Sequence, residues 1–95
     1  MILDDSSSNC LIQLTGVVAS AEARELHTIA TSAVKAAKPV VVSCSETERL
    51  DSSALQILWA LASEVRANEL PFRVENASPA VLAYAKLAGF SDIFA

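Results

Sequence analysis

The chain has little of what chemistry usually requires. It holds one histidine, His27, and two cysteines, Cys10 and Cys44. Those three fall one short of a four-ligand zinc site, so no metal is expected. Both cysteines sit inside apparent strands and read as buried, reduced thiols. The stretch "CSETERLDSS" contains neither glycine nor lysine, so it is no phosphate-cradling loop. No G-x-S-x-G elbow is present, and His27 lies among Glu25, Thr28 and Thr31 on the polar side of a helix. It reads as a solvated histidine, and no enzyme is expected. Basic residues are also scarce: 7 Lys and Arg against 11 Asp and Glu leave a net charge of −4. That balance excludes a phosphate-binding surface for nucleic acid and disfavours anionic lipid headgroups. No apolar run approaches the ~20 residues of a membrane span. The start, "MILDDSSSN", lacks the basic region of a signal peptide. A cytoplasmic protein without cofactor or membrane insertion is the expectation.

What is present is aliphatic. Hydrophobic residues make up 53% of the 95 and aromatics only 5%, so one small core must pack from short side chains. "ILDD" suits a short edge strand and "SSSN" a turn. "CLIQLTG" alternates, with Cys10, Ile12 and Leu14 on one face and Leu11, Gln13 and Thr15 on the other; Gly16 is expected to end it. Ser20 begins a helix whose apolar stripe is Leu26, Ile29, Ala30, Ala33, Val34 and Ala37. Lys35 and Lys38 suit its negative pole. Pro39 stops it and opens "PVVVSC", whose unbroken Val40–Val41–Val42 run reads as a central strand. A second helix runs to about Asn68 on Ala54, Ile57, Leu58, Leu61 and Val65. "PFRVEN" alternates again. A third helix has Ser78 as N-cap, Pro79 at its first position and Gly89 as its stop. "FSDIF" is a short end, with a strand as one option. Strands alternating with helices imply right-handed crossovers. The fold class is therefore α/β in a single domain, 1–95. A small mixed, largely parallel sheet of four to five strands is flanked by about three helices. The half-polar strands imply that one side of the sheet is less covered.

The segment "RLDSSALQILWAL" carries the question of function. Ser53 to Gln56 reads as S-x-x-Q, a capping box that starts the second helix. One cap needs one side-chain oxygen, yet Asp51, Ser52 and Ser53 supply three in a row. They follow a central strand, where ligands and partners usually meet open α/β sheets.

This segment resembles the signature of STAS domains, the family of anti-sigma-factor antagonists, in which Asp-Ser-Ser-Gly-Leu or Asp-Thr-Ser-Gly-Leu precedes a hydrophobic helix. "LIQLTG" is similar to the family's early strand, and "NASPAVLAYAKLAGFSDIF" to its closing segment. The resemblance implies a bacterial signalling domain that binds a protein partner. Ser52 matches the residue phosphorylated by a cognate anti-sigma kinase, Asp51 the acidic residue before it, and Ser53 the small hydroxyl after it. The implied contact surface is Asp51, Ser52, Ser53, Ala54, Leu55 and Trp59. Trp59 reads first as a core-edge aromatic and second as a partner anchor. Two departures stand out. Ala54 replaces the common glycine, and Val17, Val18 and Ala19 replace the acidic motif that often follows Leu-Thr-Gly. Both depart from what the standard sigma-regulatory partner meets, and the short chain and "DSSALQIL" are closer to the minimal branch of the family. That branch includes the small subunit of lipid-transporting ABC systems and stand-alone domains in signalling clusters. The family resemblance as a whole implies an anti-sigma or serine-kinase-like partner, switched by phosphorylation of Ser52. The alternatives are a transporter ATPase bound constitutively, or a chemotaxis-type assembly.

Overall fold

Two crossovers, both stepping the same way across the sheet, decide the architecture. The computed structural model describes residues 1–94. Four strands form one sheet in the order β1-β2-β3-β4. β1 (Ile2–Asp4) runs antiparallel to β2 (Cys10–Val18), while β2, β3 (Val40–Leu50) and β4 (Phe72–Glu75) are parallel. α1 (Ala23–Ala36) links β2 to β3, α2 (Ser52–Ala67) links β3 to β4, and α3 (Pro79–Leu87) follows β4. α1 and α2 pack against each other and share one core with the sheet, so they cover the same face.

Cross-strand rows show which face that is. Cys10–Val40–Phe72 is a buried row, and Ile12–Val42 at the centre of the next is buried too. Leu11–Val41–Arg73 and Gln13–Ser43–Glu75 lie on the other face, where Arg73 and Glu75 form an ion pair at 2.8 Å. The uneven cover expected from the half-polar strands is thus real. Leu26, Ala30 and Ala33 from α1 and Leu55, Leu58, Leu61, Ala62 and Val65 from α2 complete the core.

Four expectations need correction. Gly16 does not end β2: the strand continues to Val18, with Gly16 at φ +65°. β3 does not stop at Cys44 but runs through "ETER" to Leu50. The two changes share a cause. The β2–β3 register shifts between Gln13 and Thr15 and again between Gly16 and Val17, each time with an extra residue on β3. Such bulges bend and twist a strand and break its period of two. Burial on β3 therefore moves to Cys44, Thr47 and Leu50, a spacing that reads as a loop. Thr47, the buried polar residue of the core, donates its hydroxyl to the Leu14 carbonyl at 3.1 Å, opposite the first bulge.

Thirdly, Ser20 caps no α-helix. It opens a short 3-10 turn, Ser20–Glu22, that leads into α1, and the Glu22 carboxylate accepts from the Ala19 N–H at 3.4 Å. Fourthly, the terminal segment adds no strand; Ser91–Phe94 is a 3-10 turn that buries Ile93. Lys38 also does more than face a helix pole. Its ammonium donates to the carbonyls of Asp5 and Ser7, pinning the β1–β2 turn to the end of α1. The third helix is as expected: the Ser78 hydroxyl accepts from the Val81 N–H at 3.2 Å, and Pro79 is its first residue.

Candidate functional site

The Asp51-Ser52-Ser53 triplet sits where β3 turns into α2. Its roles differ from those the spacing suggests. Asp51, not Ser53, is the N-cap: its backbone is extended, and its carboxylate accepts from the Ala54 N–H at 3.1 Å. α2 consequently starts at Ser52, one residue earlier than a serine-capped helix would. The Ser53 hydroxyl turns inward and donates to the same Asp51 oxygen at 2.7 Å. Asp51 is further tied by its own N–H, which donates to the Val18 carbonyl at the end of β2 at 3.1 Å. One carboxylate oxygen thus takes both the helix N–H and the Ser53 hydroxyl. The carboxyl is held below the usual carboxylate range, chiefly by the Ser53 hydroxyl; burial opposes this, and backbone N–H groups of Ala54, Ser53 and Ser20 add to it.

Ser52 is the member of the triplet left over. It is exposed, at the first position of α2, and its hydroxyl makes no hydrogen bond among the described residues. The helix start therefore stands without it. Ala54 and Leu55 are fully buried under the triplet, so they shape the underside of the helix rather than its surface. The methyl of Ala54 points into the core, where the glycine of the family motif would leave a void.

Further along α2, Ser52, Gln56, Trp59 and Ser63 share one exposed ridge at helical spacing. Trp59 is two turns from Ser52, about 10 Å along the axis. It is 47% exposed, although its neighbours on the same flank, Leu55 and Ala62, are buried. It is thus not an ordinary core-edge aromatic. Its ring borders a groove shared with Gln56, Ala60, Gly89 and Phe90. The Gly89–Phe90 part of that groove was not foreseen from sequence.

His27 lies elsewhere. It lines a cleft of about 280 Å³ between α1 and α2, with Gln56, Ile57 and Glu64 among its other walls. Ser52 does not line that cleft, so the pair a hydrolase would need is not brought together. Among the described residues, no three His, Cys, Asp or Glu side chains converge on a point that could hold a metal ion. Both thiols are buried in the core, and burial pushes their pKa up.

The family model described as "Mlab, STAS domain" matches residues 1–95. The chain belongs to the STAS domain family. Solved structures agree on the fold. The anti-sigma factor antagonist SpoIIAA, in its unphosphorylated form, is 17% identical with a TM-score of 0.73, over 83% of this chain and 74% of that one. A candidate anti-sigma factor antagonist from Thermotoga maritima is 11% identical with a TM-score of 0.82, over 98% of this chain and 81% of that one. Mglu, a longer protein, has a TM-score of 0.69 at 15% identity over 82% of this chain, which spans only 20% of that chain's length. No curated protein matches the chain in sequence. The mixed, mostly parallel four-stranded sheet with three helices is the STAS fold. Among the described residues, no helix is long and apolar enough to cross a membrane.

Proposed function

We propose that this STAS domain binds a protein partner through the N-terminus and outer ridge of α2, and that phosphorylation of Ser52 breaks the contact. The observation that carries the reading is the division of the triplet. Asp51 and Ser53 are spent on each other and on the helix start, whereas the Ser52 hydroxyl is exposed and unengaged. A kinase reaches such a hydroxyl without unfolding anything. A phosphate there adds about −1.5 to −2 charge at a helix N-terminus, which the fold tolerates because the helix dipole favours an anion. Partner binding is what it opposes. From Ser52 to Ser63 the helix carries no charged residue. Burying a dianion on that uncharged face, without matched bases opposite, costs several kcal/mol per ion.

A second reading has its own support. The matching family model is the Mlab type, and Ala54 and Val17–Ala19 depart from the sigma-regulatory motif. On that reading the ridge of α2 is a constitutive contact with a transporter ATPase, in a bacterial cytoplasm as before, and Ser52 is a contact residue only. One experiment separates the two. The tagged protein is purified from its native cell, and partner and Ser52 phosphopeptide are read together by mass spectrometry, alongside Ser52→Ala and Ser52→Asp variants. The switch predicts that Ser52→Ala keeps the partner and Ser52→Asp loses it by tenfold or more. Equal retention by both variants, with no phosphopeptide, overturns the switch and leaves the adaptor.

A further inference from the structure

Parallel strands are normally covered on both faces, because their crossover helices close over them. Here β2, β3 and β4 are parallel, but α1 and α2 cover one face and the opposite face stays open. Ile2 is 63% exposed on it and Leu11 38%. The strand register sets its side chains in rows that cross all four strands. The first row is Asp4–Leu11–Val41–Arg73, and the second is Ile2–Gln13–Ser43–Glu75. The first row has an acid at one edge, a base at the other and two aliphatic side chains between them. Asp4 and Arg73 lie three strand spacings apart, about 14 Å, too far for an ion pair within one chain. Turned end for end, however, the row is its own complement.

We infer that this open face pairs with the same face of a second copy, about a two-fold axis running along the strands midway between β2 and β3. Such an axis keeps each row at its own height and reverses it. β1 then lies over β4 of the second copy, and β2 over its β3. Asp4 faces Arg73 of the other copy at both edges, Leu11 faces Val41 twice at the centre, and Gln13 faces Ser43 in the second row. The contact is isologous and closed, so it stops at two chains. Face-to-face sheets lie about 10 Å apart, which a long Arg and a carboxylate can span. The other charges of the face fit this arrangement. Glu75 keeps its own Arg73 at 2.8 Å, so each Arg73 bridges two carboxylates, and the alkyl stems of the pair cover Ile2. Asp4 holds Ser6 on one oxygen only, which leaves the other for Arg73. Past the first bulge, Glu46 shares a row with Thr15 and so faces a Thr15 hydroxyl of the other copy; Arg49 shares a row with Val17, and Glu48 sits at the second bulge. Asp5 and Lys38 offset each other at the β1–β2 turn. Acids outnumber bases on the face, so the order of the charges directs the pairing and their sum does not. The area is small, which places the dimer among weak, exchanging ones. α1 and α2 of both copies face outward, so Ser52 stays accessible in each and the inference does not depend on its phosphorylation.

Sedimentation velocity on the full chain, from about 10 µM to about 1 mM, tests the pairing. The average mass is expected to rise from that of one chain towards that of two. Asp4→Arg and Arg73→Asp each weaken self-association at least tenfold, because each sets like charges opposite one another. An equimolar mixture of the two variants restores association to within threefold of wild type, since every edge pair in the mixed dimer is again acid against base. Recovery on mixing also excludes misfolding as the cause of the single losses. Arg24→Glu, on the exposed side of α1, changes association less than twofold. A chain that stays single up to about 1 mM overturns the inference. So does association that survives either charge reversal, a mixture that fails to recover, or a mass that grows beyond two copies.

Discussion

Removing the Asp51 carboxylate tests the division of labour inside the triplet. Asp51→Ala deletes the acceptor for the Ala54 N–H and for the Ser53 hydroxyl at once. Replacing an N-cap Asp by Ala costs about 0.5–2 kcal/mol, including its charge at the positive end of the helix. The doubly used oxygen places this case in the upper half, at about 1–2 kcal/mol. In a domain of this size each kcal/mol lowers Tm by roughly 4–8 °C. Ser53→Ala removes one donor to a charged acceptor and leaves the cap, at about 0.5–1 kcal/mol. Ser52→Ala removes a hydroxyl that bonds to nothing and stays within about 0.5 kcal/mol of wild type. Urea unfolding followed by circular dichroism at pH 7 ranks the three. A result in which Ser53→Ala costs most would restore the serine-capped helix and refute the assignment of Asp51.

Acid supplies an independent arm. The folded carboxyl of Asp51 has a lower pKa than the unfolded one, so the unfolded chain binds the proton more readily. Its stabilisation is complete above the ordinary Asp value of about 3.9 and is lost as pH falls through the folded value. Asp51→Asn keeps an oxygen for the Ala54 N–H but does not titrate there. The stability gap between wild type and Asp51→Asn should therefore shrink as pH falls from 7 to below about 3.9. A constant gap would show that the carboxylate charge contributes nothing.

Three other predictions concern the frame around the site. Gly16→Ala meets no steric obstruction, since open space surrounds an added methyl, but it forces alanine to φ +65°. The expected cost is about 1–2 kcal/mol in chemical unfolding, and a neutral result would dismiss the bulge as a conformational requirement. Thr47→Val leaves the buried Leu14 carbonyl without its 3.1 Å donor and should cost about 1–3 kcal/mol at unchanged denaturant slope. Cys10 and Cys44 should resist a thiol reagent at pH 8 in the native protein and react fully in denaturant; rapid native labelling would contradict their burial.

Most of the fold was legible because its signals were local. The Val40–Val42 run, the stripe of α2 and the Ser78-Pro79 start of α3 each carry a period or cap that few other structures satisfy. β3 was misread where two bulges replaced the period of two by a spacing of three, and that spacing depends on a partner strand the sequence does not display. The cap was misread for a related reason. Asp51 and Ser53 are both good N-caps, and Gln56 three residues beyond Ser53 favoured the serine. What decides for Asp51 is tertiary: its N–H is claimed by Val18 at the end of β2, which fixes the extended backbone one turn position earlier. Ser52 stood out as a candidate because the triplet supplies more oxygens than one cap needs, and only the family motif suggested a role for it. The Gly89–Phe90 wall of the groove was hidden because those residues are distant in sequence from Gln56, Trp59 and Ala60.

The shift of the cap from Ser53 to Asp51 has a consequence for the proposed switch. Had a serine of the triplet held the helix start, modifying the triplet would have risked the helix, and binding and stability would have changed together. With Asp51 as cap and Ser53 as its buttress, both of the groups that stabilise α2 are engaged with each other and with the helix start. Ser52 can gain or lose charge while the hydrogen bonds at 2.7 and 3.1 Å beside it stay intact. A modification there changes only what the surface presents. The uncharged length of α2 then matters more than the triplet itself. On a surface already crowded with charge, one more anion is partly screened and easily matched. On a face with no charge from Ser52 to Ser63, the same phosphate is the largest electrostatic feature a partner meets. On the proposed switch, the aliphatic plainness of that helix is what would give a single hydroxyl leverage over binding.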